Sequence, residues 1–363
     1  MKKIGLEITR ANKNKKTGTE WYAWHLFQQF KELDKSNKFY IYFNSDLAEK
    51  LREVPANFYL KRLHWPFAKF WTHFRLSIEL IIHPVDKFFA ANALPLLTRG
   101  EIILTVHDLG FLRNPELYHP LERIYQKISH FFSIRRAEKI IAISENTKKD
   151  ILYYFPQAKD KIKVIYNGYD ANSFKVRREE EKEEIRKKYN LPEKYILYIG
   201  RLETKKNIQN LIKAYKLIKN KKIPLILGGR PGNYGYQEIR ELAQNEKKII
   251  FLGYIPQEDY QLLLAAAFLF IFPSKFEGFG IPLIEAMASG LPVICSKIPV
   301  FREITENNVF FFNPDDIEDI SKAIDRVIED KELRKDLIEK SLKQVQKFSW
   351  QKCAQETLEY ILE

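Results

Sequence analysis

Strand-like and helix-like segments alternate along this chain nearly from end to end, the pattern of parallel sheets wrapped by helices. KIGLEI (3–8) is followed by a polar loop and a helix from about Glu20; then come FYIYF, KFFAA, EIILTVHD, AEKIIAIS and KVIYNGYD, short apolar runs ending in polar or small residues. After Phe174 the charged stretch VRREEEKEEIRKKYNLPEK reads as a solvated helix at a domain junction. The alternation then restarts with KYILYIG, NIQNLIKAYKLI, IPLILGG, KIIFLGY and YQLLLAAA running into FLFIFPS. Ile208, Leu211, Ile212, Tyr215 and Ile218 keep helical spacing, with Asn207 placed as N-cap. A chain of 363 residues exceeds what one core usually serves. The fold class expected is therefore α/β, two doubly wound Rossmann-like domains in tandem, divided as 1–175 and 176–347.

The most apolar run, LLLAAAFLFIFP (262–273), is well short of the roughly 20 residues a bilayer span needs, and reads as a helix entering a buried strand. Glu7 and Arg10 break up the apolar residues after Lys2 and Lys3, so no signal-peptide core forms and a cytoplasmic location is expected. Cys295 and Cys353 show neither metal-ligand nor disulfide spacing and read as buried apolar residues. The net charge of +13 suits nucleic acid, anionic lipid or phosphorylated small molecules alike. Segment 61–75, KRLHWPFAKFWTHFR, mixes four cations with Trp65, Phe67, Phe70, Trp71 and Phe74. It has the composition of an interfacial segment at the inner face of an anionic membrane, or equally of core aromatics with a solvated basic rim.

In open α/β sheets, ligands sit beyond the carboxyl ends of the strands. Between the strand FLFIFPS and the helix PLIEAMAS lies the turn KFEGFGI, in which Gly278 and Gly280 permit positive φ or close backbone approach. The backbone from Gly278 through Phe279 and Gly280 to Ile281 then leads into a helix amino terminus that favours a pyrophosphate. Glu277 stands at the strand end and Glu285 in the first turn of the helix, and carboxylates are strong acceptors for sugar hydroxyls. Two glutamates at this spacing are weak as a pattern; the strand, glycine turn and helix around them give it meaning. GRLETKKN repeats the theme, with Arg201 and Lys206 leaving a strand end where they can neutralise a diphosphate. In the first half, His107 ends EIILTV, and Gly18, between Thr17 and Thr19, lies in the loop after the first strand. Lys13, Lys15 and Lys16 beside that loop read as a solvated basic loop or as a recruiter of an anionic acceptor. Asn167, Gly168 and Asp170 read as turn formers, and Ser144 as a helix N-cap.

EGFGIPLIEAMASGLPVI, GRLETKKN and VIYNGYDANSF, together with TVHDLGF, RRAEKIIAISENTKKDI and the terminal FSWQKCAQETLEYI, resemble the retaining glycosyltransferases of family 4, whose fold is GT-B: two Rossmann-like domains facing across a cleft. The resemblance covers nearly the whole chain, and the Glu-x7-Glu motif is among the family's most specific marks. It implies that Glu277 lies near the donor sugar, Glu285 binds ribose, Arg201 and Lys206 hold the diphosphate and the 278–281 backbone completes the phosphate cradle. His107 would touch the transferred sugar. The segment from about Phe348 to Glu363 would return to the amino-terminal, acceptor-side domain. The family commonly has two adjacent glycines where this chain has only Gly18 after Thr17.

The function so implied is transfer of a sugar, GDP-mannose being the preferred donor, to a lipid-linked or surface-glycan acceptor hydroxyl with retention at the anomeric carbon. No Asp-x-Asp stands in a strand-end loop, so neither metal nor other cofactor is expected. A nucleotide-sugar epimerase or hydrolase of the same architecture is the alternative. A nucleic-acid-binding role, suggested by charge, lacks a recognised motif and has no use for the glycine and glutamate turn.

Overall fold

The structure, a computed structural model, describes residues 1–67, 70–92 and 94–363. The chain forms two compact units. The first comprises Met1–Leu109, Ile124–Gly168 and Ser349–Glu363, the second Gly110–Arg123 and Tyr169–Phe348.

Seven strands build the sheet of the first unit: β1 (Lys3–Glu7), β2 (Lys38–Phe43), β3 (Phe58–Arg62), β4 (Lys87–Ala90), β5 (Glu101–Val106), β6 (Lys139–Ala142) and β7 (Ile162–Val164). They lie in the order β3-β2-β1-β4-β5-β6-β7, all parallel. The second unit has β8 (Ile196–Ile199), β9 (Leu225–Gly228), β10 (Ile249–Gly253), β11 (Leu269–Phe272), β12 (Val293–Ser296) and β13 (Phe310–Phe312), in the parallel order β10-β9-β8-β11-β12-β13. Both orders reverse direction once, between β1 and β4 and between β8 and β11, which defines a doubly wound Rossmann-like sheet and its switch point. Helices occupy the crossovers because parallel neighbours cannot be joined by a tight turn. Those used below are α1 (Gly18–Leu33), α2 (Arg75–Ile82), α3 (Pro120–Arg136), α4 (Glu145–Tyr154), α5 (Ile208–Tyr215), α6 (Gln257–Ala266), α7 (Ile281–Ala288) and α8 (Trp350–Leu362).

Strands β4, β9, β11 and β12 are buried on both faces, so their apolar runs are continuous rather than alternating. On α5 the apolar stripe Ile208, Leu211, Ile212 and Tyr215 is wholly buried, with Ile218 just beyond it. Asn207 precedes that helix in the left-handed region (φ 59°), and its side chain bonds the Pro314 carbonyl at 2.7 Å instead of capping α5. Ser144 caps α4, accepting from the Thr147 amide at 3.0 Å. The run 262–273 is divided between α6 and β11, and both cysteines are buried and free.

Two features depart from a division at 175/176. The join falls at Gly168–Tyr169, and Gly110–Arg123 packs with the second unit. A Cβ on Gly110 would lie 2.6 Å from the Phe276 ring, and Lys205 sits 5.0 Å from the ring centre of Tyr118, which ties this segment down. The terminal helix α8 belongs to the first unit, where Trp350 stacks on His25 of α1 at 4.7 Å and meets Tyr22 edge-on at 6.2 Å.

Candidate active site

In the second unit the switch point lies between β8 and β11, and the candidate residues leave the carboxyl ends of these two strands. Arg201 and Lys206 follow β8; Ser274 and Glu277 follow β11. The Lys206 ammonium donates to Oε1 of Glu277, the oxygen that also accepts from the Ser274 hydroxyl at 2.8 Å. The two charged side chains are only 15% and 14% exposed, so each supplies charge compensation that solvent supplies poorly there. The loops are also joined through backbone, the Lys275 amide donating to the Lys205 carbonyl at 3.0 Å. A cation able to pair with phosphate and a carboxylate able to accept from hydroxyls thus stand in one place. The Arg201 side chain is exposed; its carbonyl accepts from the Tyr198 hydroxyl at 2.8 Å, which fixes the turn that carries it.

Helix α7 is preceded by Gly280 at its N-cap, whose φ of 107° is a left-handed conformation that glycine adopts without penalty. A Cβ there would lie 2.9 Å from the Phe301 ring, so packing as well as φ keeps the position bare. Positive φ belongs to Gly280 of the turn's two glycines; Gly278 keeps the ordinary sign. Phe279 is a core side chain, edge-on to Phe348 at 5.7 Å, so only its backbone is available to a ligand. Ile281 opens the helix and Gly290 ends it at φ 73°.

Glu285 is buried on α7 and accepts a hydrogen bond from the Tyr260 hydroxyl of α6. Burial pushes its carboxyl up to about 8; the Tyr260 bond pulls it down, and the nearby Asp170 charge raises it further. Tyr260 in turn meets Phe174 edge-on at 5.4 Å. Asp170 holds the turn before Phe174, accepting from the Asn172 amide at 3.0 Å and the Ser173 hydroxyl at 2.6 Å. Glu277 and Glu285 therefore differ sharply: one is ion-paired, the other a buried acid bonded to a phenol. Tyr260, Ser274 and Asp170's influence on Glu285 went unread in the sequence, because QEDYQLLL shows only helical periodicity and no local pattern joins residue 260 to 285.

His107 and Gly18 belong to the first unit. His107 Nε2 lies 2.7 Å from the Ala91 carbonyl, which can only accept, so Nε2 carries the proton and Nδ1 is an acceptor. Burial lowers the imidazole to about 4, and it is neutral at pH 7. Its ring packs edge-on against Tyr22 at 5.0 Å. Gly18 is the first residue of α1. Thr17 and Glu20 form a capping box there, and Glu20 pairs with Lys13 at 3.0 Å and Arg10 at 3.5 Å. Burial raises the Glu20 carboxyl, but bonds from Thr17 and Lys13 and the charges of Lys13 and Arg10 outweigh it and bring it to about 2. The Lys16 ammonium lies over Trp24 at 4.6 Å. Lys13 and Lys16 are thus engaged with side chains of α1. Among the described residues no group of three or more His, Cys, Asp or Glu side chains is arranged to hold a metal ion.

Two Rossmann-like sheets, with charged groups gathered at a strand-end switch point, define a GT-B glycosyltransferase architecture. Residues 17–173 match the family description Glycosyltransferase Family 4, and residues 181–344 match Glycosyl transferases group 1. The chain is 34% identical over 263 residues to O-antigen chain mannosyltransferase B of Escherichia coli, covering 70% of this chain and 68% of that protein. It is 29% identical over 272 residues to O-antigen chain mannosyltransferase RfbU of Salmonella typhimurium, covering 74% and 71%. Anabaena Alr3699/HepE, solved in complex with UDP and glucose, superposes with a TM-score of 0.78 over 99% of both chains at 21% identity. The chain belongs to the family 4 glycosyltransferases.

Proposed function

We propose that this glycosyltransferase moves mannose from GDP-mannose to a hydroxyl of a lipid-linked or surface-glycan acceptor, retaining the anomeric configuration and requiring no metal. The observation that carries the reading is the Lys206–Glu277 pair at the β8/β11 switch point, beside a helix preceded by a left-handed glycine. Two mannosyltransferases of O-antigen assembly among the relatives support the sugar and the acceptor class.

In this reading the donor's diphosphate takes the Lys206 ammonium, with Arg201 as second cation and the 278–281 backbone at the amino terminus of α7 as a preorganised dipole. Negative charge grows on that diphosphate as the sugar departs, so groups already oriented toward it lower the barrier without reorganising. Glu277, released by Lys206, accepts hydroxyls of the sugar. Glu285, held by Tyr260, meets the ribose diol. His107 presents Nδ1 as a neutral acceptor toward the sugar, while the Gly18 loop serves the acceptor side. A donor phosphate oxygen takes the acceptor's proton on the face from which the diphosphate leaves, which is what retention requires. A cytoplasmic site at the inner face of an anionic membrane suits a lipid-linked acceptor. No helix among the described residues is long and apolar enough to cross a membrane.

A thermal-shift screen of GDP-mannose, UDP-glucose and UDP-N-acetylglucosamine tests the donor, since a ligand selective for the native state raises the melting temperature. Stabilisation by GDP-mannose above the others supports the reading; a larger shift with a UDP-sugar replaces the donor. Release of free sugar or an isomer without acceptor would favour an epimerase or hydrolase.

A further inference from the structure

Helix α3 is amphipathic the wrong way round for a helix packed on a sheet. From Ile124 onward its half-buried or buried side carries Gln126, Ser129, His130 and Ser133, with Ile134 as the buried apolar residue. Its large apolar side chains point outward instead: Ile128 is 66% exposed, and Ile124, Tyr125, Phe131 and Phe132 are exposed with it. A water-facing helix normally inverts this pattern. Helix α2 and its approach repeat the feature, with Phe70, Phe74, Ile78 and Ile82 outward at near four-residue spacing and Ile82 63% exposed. The two helices are held to one short segment: Ser77 and His73 bond the backbone of residues 94 to 97, and Arg136 donates to the Pro95 carbonyl at 2.8 Å. Leu97 of that segment is exposed too. Trp71, by contrast, is core, its indole donating to the Leu63 carbonyl at 2.9 Å, and Lys69 lies outside the described residues, so segment 61–75 itself is only partly outward.

Charge decides the occupant. Residues 124–136 contain Lys127, Arg135 and Arg136 and no acidic residue; residues 61–82 contain four Lys and Arg and one acidic residue, Glu79, whose side chain is largely buried and paired with Arg75 at 3.2 Å. Arg135 lies over Phe131 at 4.0 Å and Arg136 over Phe132 at 4.9 Å, so guanidinium groups edge the apolar surface. Pairing with a second copy would bring like charges together, whereas anionic headgroups above an acyl layer satisfy both components.

We propose that the outward faces of α2 and of α3 from Ile124 onward form a docking surface for an anionic lipid bilayer. This deepens the lipid-linked acceptor reading, but vesicle binding needs neither donor nor acceptor, so its failure and the failure of that reading are separable. The test is sedimentation of the full chain with vesicles of phosphatidylcholine alone or mixed with phosphatidylglycerol. Wild type should partition to the mixed vesicles and release as salt rises. The double substitution Ile128→Asp, Phe131→Asp should weaken partition by about tenfold or more, and Lys127→Glu by about fivefold. Ile82→Asp provides the same test on the second helix should the double variant melt early. Equal binding by wild type and these variants, no binding of wild type to either vesicle, or a wild-type dimer that the same substitutions dissociate would overturn the proposal.

Discussion

The Lys206 ammonium and the Glu277 carboxylate are hydrogen-bonded to each other from the ends of β8 and β11, and the Ser274 hydroxyl completes the Glu277 oxygen at 2.8 Å. Each group therefore holds the other in place before any donor arrives. In the proposed reading, replacing Lys206 by Ala removes a cation from the diphosphate and leaves Glu277 with the Ser274 bond. Loss of one preorganised donor of this kind costs about 2.7–4 kcal/mol of transition-state stabilisation, or roughly 10²–10³ in kcat/KM. Steady-state transfer assays measure it, and a variant within a few-fold of wild type would remove Lys206 from the mechanism.

Tyr260 acts on Glu285 and not on the substrate in this account, so Tyr260→Phe keeps the ring against Phe174 and deletes one hydrogen bond. The expected loss is about 0.5–1.5 kcal/mol in donor affinity, read as a raised KM with a smaller change in kcat. Because the Tyr260 bond holds the Glu285 carboxyl down, its removal also shifts any donor-binding inflection due to Glu285 to higher pH. An unchanged KM and pH profile would make Tyr260 a packing residue only.

Glu285 also imposes a pH dependence on stability. Its folded value of about 8 stands above an ordinary glutamate's 4.5, so between these values the folded chain holds a proton that the unfolded chain releases. Stability contributed by the group is present below pH 4.5 and is lost as pH rises to 8, by about 1.4 kcal/mol per unit. Glu285→Gln should gain on wild type in melting temperature as pH rises through that range. A constant difference across it would contradict the assignment.

His107 has the opposite dependence. With the folded imidazole lowered from 6.5 to about 4, the unfolded chain binds the extra proton between these values, so stability is full above pH 6.5 and is lost as pH falls to 4. His107→Gln should flatten that acid limb of the denaturation profile. The same lowering predicts that kcat/KM shows no inflection from this residue above pH 6.5.

Much of this arrangement was legible in the residues themselves. Ile208 to Ile218 gave a buried helical stripe by periodicity alone, and the run 262–273 divided into helix and strand as its residues suggested. Three strands escaped notice. β3 is an edge strand whose exposed Lys61 and Arg62 break the apolar run, β13 is only three residues long, and β12 lies inside the stretch LPVICS after the motif helix. The grouping of Glu277 with Lys206 and Ser274 follows from strand order, which brings β8 beside β11, so that Lys206 and Glu277 meet across 71 residues of chain and leave no local trace. For the same reason Asn207 passes as a cap: its bond to Pro314 is a tertiary contact that outcompetes the helix end. Trp71 likewise shares its neighbours' composition but lies in the core.

Calorimetric titration of GDP-mannose into wild type, Lys206→Ala and Glu285→Ala tests the central claim most directly, because it reads donor binding apart from chemistry. Saturable binding by wild type, weakened about tenfold or more in each variant, is predicted, through loss of a charged hydrogen bond at Lys206 and of a buried hydrogen-bonding carboxyl at Glu285. Equal affinity in all three proteins would place the nucleotide sugar elsewhere and contradict the account.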